Sequence, residues 1–85
     1  MALRRNPDTA WQRIGEEAVV MNLAGSRVLG LNATGALVWS LLEERDEDGL
    51  AEAVAEQFAI EPEAAREDIR AFLELLRERG LVVEA

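Results

Sequence analysis

The side chains able to do chemistry in this chain of 85 residues are carboxylates, arginines and a few hydroxyls. Histidine, cysteine, tyrosine and lysine are all absent, so every one of the nine cations is an arginine. That removes Cys–His and Ser–His nucleophile pairs, imidazole and thiolate metal sites, and lysine Schiff bases. It also removes any disulfide framework. Ser26, Ser40, Thr9 and Thr34 remain beside the carboxylates. The acidic run Asp46-Glu47-Asp48-Gly49 lacks the alternation of a calcium loop and reads as the charged start of a helix. A carboxylate-only active site needs an enclosed pocket, and a chain this short has little room for one. The residue types point to binding rather than catalysis, with no cofactor and no metal.

The binding surface with the clearest signal is cationic and apolar. At 100° per residue, Ala65, Ile69, Phe72 and Leu76 share one face of a helix. Ile69 and Leu73 lie toward one margin of that face, with Arg66, Arg70 and Arg77 just beyond. Such a margin suits a peptide carrying aliphatic and acidic side chains. Spacing alone favours a plainer account: Arg66 with Glu63, Arg70 with Glu67 or Glu74, and Arg77 with Glu74, each pair contributing about 0.2–0.5 kcal/mol.

Charge and hydropathy narrow the partners. A net charge of −8 opposes duplex binding, which needs cations on phosphates. No apolar run approaches the roughly 20 residues that span a bilayer, and the first residues lack the apolar core of a secretion signal. The expected partner is neither nucleic acid nor membrane, and the expected compartment is the cytoplasm.

The elements that would position these residues read in two halves. Residues 10–14, 18–23 and 27–31 are short strand candidates, separated by Gly15-Glu16-Glu17 and Ala24-Gly25-Ser26, and form a meander. In the third strand Leu29 and Leu31 share one face, with Val28 and Gly30 on the other. Asn32 ends that strand and caps the helix that follows at once. Helices are predicted over 33–44, 50–58 and 62–80, the last opened by Pro62 and closed by Gly80. Leu81-Val82-Val83 is an extended tail. Residues 1–9 are predicted to be a flexible tail, and residues 10–85 a single domain. Trp39 and Phe58 are expected in the core, and Trp11 in the core or at an interface.

Several of these segments together resemble the PqqD family, small domains that act as recognition elements for ribosomally made, modified peptides. The matching residues are Val28-Leu29-Gly30-Leu31-Asn32-x-Thr34-Gly35, Leu37-Val38-Trp39-x-Leu41-Leu42, Asp68-Ile69-x-x-Phe72-Leu73-x-x-Leu76 and Gly80-Leu81-Val82. The Asn-x-Thr-Gly-x-x-x-Trp version looks like the stand-alone recognition proteins of lasso-peptide pathways. Ala24-Gly25-Ser26 replaces the Pro-Glu-Gly turn usual in quinone-pathway members, which points to the wider family.

The resemblance implies an α+β, winged-helix-like fold: a three-stranded antiparallel β-meander followed by three α-helices. It implies that the leader segment of a precursor peptide adds as a fourth strand beside the third, facing the third helix. The implied peptide-binding residues are Arg27, Val28, Leu29, Gly30, Leu31, Arg66, Ile69, Arg70, Leu73 and Arg77, and the family likeness outweighs the local-pairing account of the arginines. The implied second partner is a modifying enzyme such as a leader peptidase or a radical SAM enzyme. The protein would itself do no chemistry, as a monomer or a homodimer. Two other readings stand beside this one: a winged-helix DNA-binding regulator, and an accessory or dimerisation subunit without peptide cargo.

Overall fold

A computed structural model describes residues 3–25 and 27–84. Five strands and three helices run in the order β1 (Leu3–Arg5), β2 (Thr9–Ile14), β3 (Glu17–Asn22), β4 (Arg27–Leu31), α1 (Ala33–Leu41), α2 (Glu47–Phe58), α3 (Pro62–Glu78) and β5 (Val82–Glu84). Strands β2, β3 and β4 form an antiparallel meander in that order. The expected α+β architecture of three strands followed by three helices is the one observed.

Local chemistry accounts for each junction. Gly15 sits at φ +62°, the left-handed conformation that a two-residue hairpin loop requires. The Asn32 side chain accepts from the Gly35 N–H at 2.9 Å, so β4 passes into α1 through one capping residue. Asp46 caps α2 through the Gly49 N–H at 2.8 Å. Pro62 opens α3, and Gly80 follows it at φ +70°. Acidic residues Glu47 and Asp48 bring α2 to start before the predicted residue 50, and α1 ends at Leu41 rather than 44.

The core lies between the sheet and the helices. Ala18, Val20 and Leu31 face Ala36, Val38, Trp39 and Leu42 of α1 and its C-cap, and the buried Leu50, Val54, Ile69, Leu73 and Leu76 complete it. Trp39 is wholly buried, and Trp11 meets it edge-on at 6.1 Å while remaining half exposed.

The N-terminal segment departs from expectation. Residues 3–5 are not a flexible tail: β1 pairs antiparallel with β5, Leu3 opposite Glu84 and Arg5 opposite Val82. The extended tail at 81–83 is thus one half of a second, two-stranded sheet. Leu3 is buried against the core, which provides the hydrophobic reason. Arg5 provides a polar one. Its guanidinium donates to the Trp39 carbonyl at 2.8 Å and the Ser40 carbonyl at 3.1 Å, meets Glu43 at 3.1 Å, and lies over both tryptophan rings. These carbonyls end α1, where a cation is favoured. Arg5→Ala is therefore expected to cost about 1–2 kcal/mol. In a thermal melt followed by circular dichroism that corresponds to a fall of roughly 5–10 °C, whereas Arg4→Ala, at an exposed position, leaves the melt nearly unchanged.

Candidate functional site

An edge strand exposes backbone groups that the sheet leaves unpaired. Strand β4 pairs with β3 and, among the described residues, has no strand on its other side. The register tells which of its groups point outward. A two-residue loop makes Ile14 and Glu17 a hydrogen-bonded pair, so Glu17, Val19 and Met21 turn their backbone groups toward β2. The Leu23 N–H continues this parity by donating to the Asp8 carbonyl at 2.8 Å. Ala18, Val20 and Asn22 must then bond to their partners Leu31, Leu29 and Arg27 on β4. It follows that Val28 and Gly30 hold N–H and C=O toward the open side. The five predicted β4 residues thus divide: two offer backbone groups, while Leu29 and Leu31 turn side chains toward the core.

Helix α3 faces this edge, antiparallel to β4. At its C-terminal end, the Asn22 amide donates to the Arg79 carbonyl at 3.1 Å, beside Arg27 in the register. Farther along, the Phe72 ring packs on Gly35, where an added Cβ would stand 3.3 Å from the ring. Glycine lets the helix and the strand–helix junction approach closely, since any side chain here would press on the Phe72 ring. Between them is a cavity of about 230 Å³ lined by Asn32, Thr34, Gly35, Val38, Ile60, Asp68, Ile69 and Phe72. Asp68, Phe72, Leu75 and the C-cap Arg79 fall on one stripe of α3, and Asp68 and Phe72 line the cavity.

The other predicted residues of α3 sit elsewhere. Ile69 is buried and contributes to the floor of the cavity. Leu73 is buried on the far margin, in a crevice with Leu3, Leu42, Leu50 and Arg77. Arg66 meets Asp48 at 3.4 Å and Arg70 meets Glu47 at 3.6 Å, both on α2. Arg77 meets Glu84 of β5 at 3.5 Å and Glu74 at 3.9 Å. The structure therefore does not bring Arg66, Arg70, Leu73 and Arg77 together with β4. They occupy the opposite margin of α3, beside the acidic start of α2 and β5. Of the local pairs that spacing suggests, only Arg77 with Glu74 forms among the described residues. These ion pairs are exposed, so each contributes little to stability. The residues that spacing did not single out for binding, Phe72, Leu75 and Arg79, carry one available signal: with Asp68 they recur at intervals of four, three and four.

A model of the family described as coenzyme PQQ synthesis protein D (PqqD) matches residues 17–82. The chain belongs to the PqqD family. The match runs from the start of β3 to the first residue of β5, so it takes in the edge strand, α1 and the whole of α3. Comparison with curated protein sequences finds no match. Among solved structures, the chain is similar to one described as TbiB1 in complex with the TbiA(beta) leader peptide. The two are 26% identical with a TM-score of 0.86 over 93% of each chain. It is also similar to one described as lasso peptide synthetase B1 complexed with the leader peptide. That likeness, 23% identity and a TM-score of 0.85 over 98% of this chain and 99% of the other, is one of fold. No helix among the described residues is long and apolar enough to cross a membrane.

Proposed function

We propose that this PqqD-family protein captures the leader segment of a ribosomally made precursor peptide as a fourth strand beside β4. It then presents the leader to a modifying enzyme, such as a leader peptidase or a radical SAM enzyme, and catalyses no step itself. The observation that carries this reading is the open side of β4, where the backbone groups of Val28 and Gly30 turn away from β3, with a cavity between α1 and α3 just past the end of the strand. The solved relatives described as leader-peptide complexes support it. So does the residue inventory, which offers backbone hydrogen bonds and a cavity with an apolar side at Val38, Ile60, Ile69 and Phe72. The work would be done in the cytoplasm, by a monomer or a homodimer.

Strand addition divides the labour. Two outward N–H groups and two carbonyls hold an extended backbone with little regard to its sequence. The cavity beside Phe72 and Ile69 selects an apolar side chain. Affinity on the order of micromolar, about −8 kcal/mol, suits a carrier that must release its cargo. The DNA-binding reading calls for a cationic α3, yet Arg66, Arg70 and Arg77 each lie beside carboxylates and the chain carries a net charge of −8.

Amide hydrogen exchange with and without the leader of a precursor encoded beside this protein tests the reading. In the free protein the Val28 and Gly30 amides exchange fast, and Leu29 and Leu31 are protected by β3. The leader is expected to protect Val28 and Gly30, and to shift resonances of Asp68, Phe72 and Leu75. Protection confined to α1 and α2 would overturn the assignment.

A further inference from the structure

Two arginines near the meeting of β4 with the end of α3 make no ion pair among the described residues. The ion pairs among the described residues engage Arg5, Arg66, Arg70 and Arg77. Of the remaining cations, Arg27 and Arg79 border the cleft. Arg27 shares a strand face with Leu29 and Leu31, the face turned toward the helices. Its register partner Asn22 is hydrogen-bonded to the end of α3 at the Arg79 carbonyl. Arg79 lies on the same stripe of α3 as Asp68, Phe72 and Leu75. The two guanidinium groups therefore flank one end of the cleft, and neither makes an ion pair among the described residues.

Service to the helix terminus does not account for them. The carbonyls of Arg79 and Gly80 accept from the side-chain amides of Asn22 and Asn6, at 3.1 and 2.9 Å. On a chain of net charge −8, two unemployed cations at one end of a groove make a local reversal of sign. Asp68 stands at the other end, beside Asn32 and Thr34. The groove is thus polarised along its length.

We infer that Arg27 and Arg79 bind a carboxylate of the captured peptide and so fix its register and direction. This inference rests on the reading that β4 takes a fourth strand. An antiparallel strand, the more stable pairing, meets the Leu31 end first and the Arg27 end four residues later, about 13 Å on. The recognised segment is then an apolar anchor in the cavity beside Phe72, followed after four residues by Asp or Glu. A carboxylate accepts from a guanidinium in a charge-assisted pair that neither lysine nor a backbone amide reproduces in geometry. Wrong registers leave the acid beside Asp68, where like charges repel.

Selection of displayed random 12-residue peptides on the intact protein tests this without knowledge of the natural leader. The expected winners carry an aliphatic or aromatic residue with Asp or Glu four positions after it. Against the Arg27→Ala/Arg79→Ala variant the acidic preference disappears while the apolar anchor persists. A winning peptide is expected to lose about tenfold in affinity on this variant, to lose as much when its acid becomes Gln, and to lose no more when both changes are combined. Arg4→Ala/Arg45→Ala, which changes net charge equally at positions away from the cleft, leaves affinity unaltered. Winners with the anchor but no acidic preference would overturn the carboxylate clamp and leave strand capture standing. Winners that bind Val28→Pro as well as the native protein would overturn both.

Discussion

Val28→Pro abolishes peptide capture in a domain that stays folded. Proline is tolerated on an edge strand where the N–H faces solvent, and the register places the Val28 N–H on the open side of β4. The Val28 side chain is 64% exposed, so its loss removes little packing. Residue 27 is already extended, as a following proline demands. The stability change stays within about 1 kcal/mol, as at other exposed sites. An incoming strand, however, finds a missing donor and a pyrrolidine ring in its path. An unpaired carbonyl costs roughly 1–3 kcal/mol, and with the steric clash the expected loss of affinity is about a hundredfold. Leu29→Pro is the contrast: its N–H belongs to the β3 ladder, so that variant loses thermal stability as well. Calorimetric titration and a thermal melt of the pair distinguish the two. Equal peptide affinity in Val28→Pro and native protein would remove β4 from the site.

Neighbouring residues of α3 are expected to give opposite phenotypes. Leu73 is 7% exposed and packs with Leu3, Leu42 and Leu50. Leu73→Glu places a carboxylate there and forfeits the apolar contacts, at a cost of about 4 kcal/mol or more. Domains of this size have roughly 5–15 kcal/mol in all, so a large fall in melting temperature is expected. Phe72 is half buried, against Gly35 on one side and the cleft on the other. Phe72→Ala is expected to keep a cooperative melt and to weaken peptide binding at least tenfold by enlarging the cavity beyond the fit of its occupant. A folded Leu73→Glu protein with lost binding would exchange the roles of the two margins.

That exchange of margins shows where sequence reasoning reaches its limit. The bounds of β4, its abrupt passage into α1 through Asn32, and Pro62 at the start of α3 are all encoded in a few adjacent residues, and they were legible. The apolar face of α3 was legible too, because helical periodicity is a local property. Which margin of that face looks at the sheet is not local. Both carry apolar and charged side chains: Phe72, Leu75 and Arg79 on one, Leu73, Arg70 and Arg77 on the other. The choice is made by distant residues: Leu3, Leu42 and Leu50 bury Leu73 on one margin, and Asn22 ties the end of α3 to the meander. Strand β1 was invisible for the same reason. Three residues, Leu3-Arg4-Arg5, show no period, and their partners Val82, Val83 and Glu84 lie at the other end of the chain. Its strongest side-chain tie, Arg5 to the end of α1, depends on a docked helix that no local pattern announces.

The pairing of β1 with β5 sets Leu3 across from Glu84, a single strand spacing apart. Both strands lie along the Leu73–Arg77 margin of α3, away from the mouth where Arg27 and Arg79 stand. The first and last described strands therefore meet at the back of the domain. The ribbon that ties Leu3 to Glu84 is thus spared each time a peptide docks and leaves.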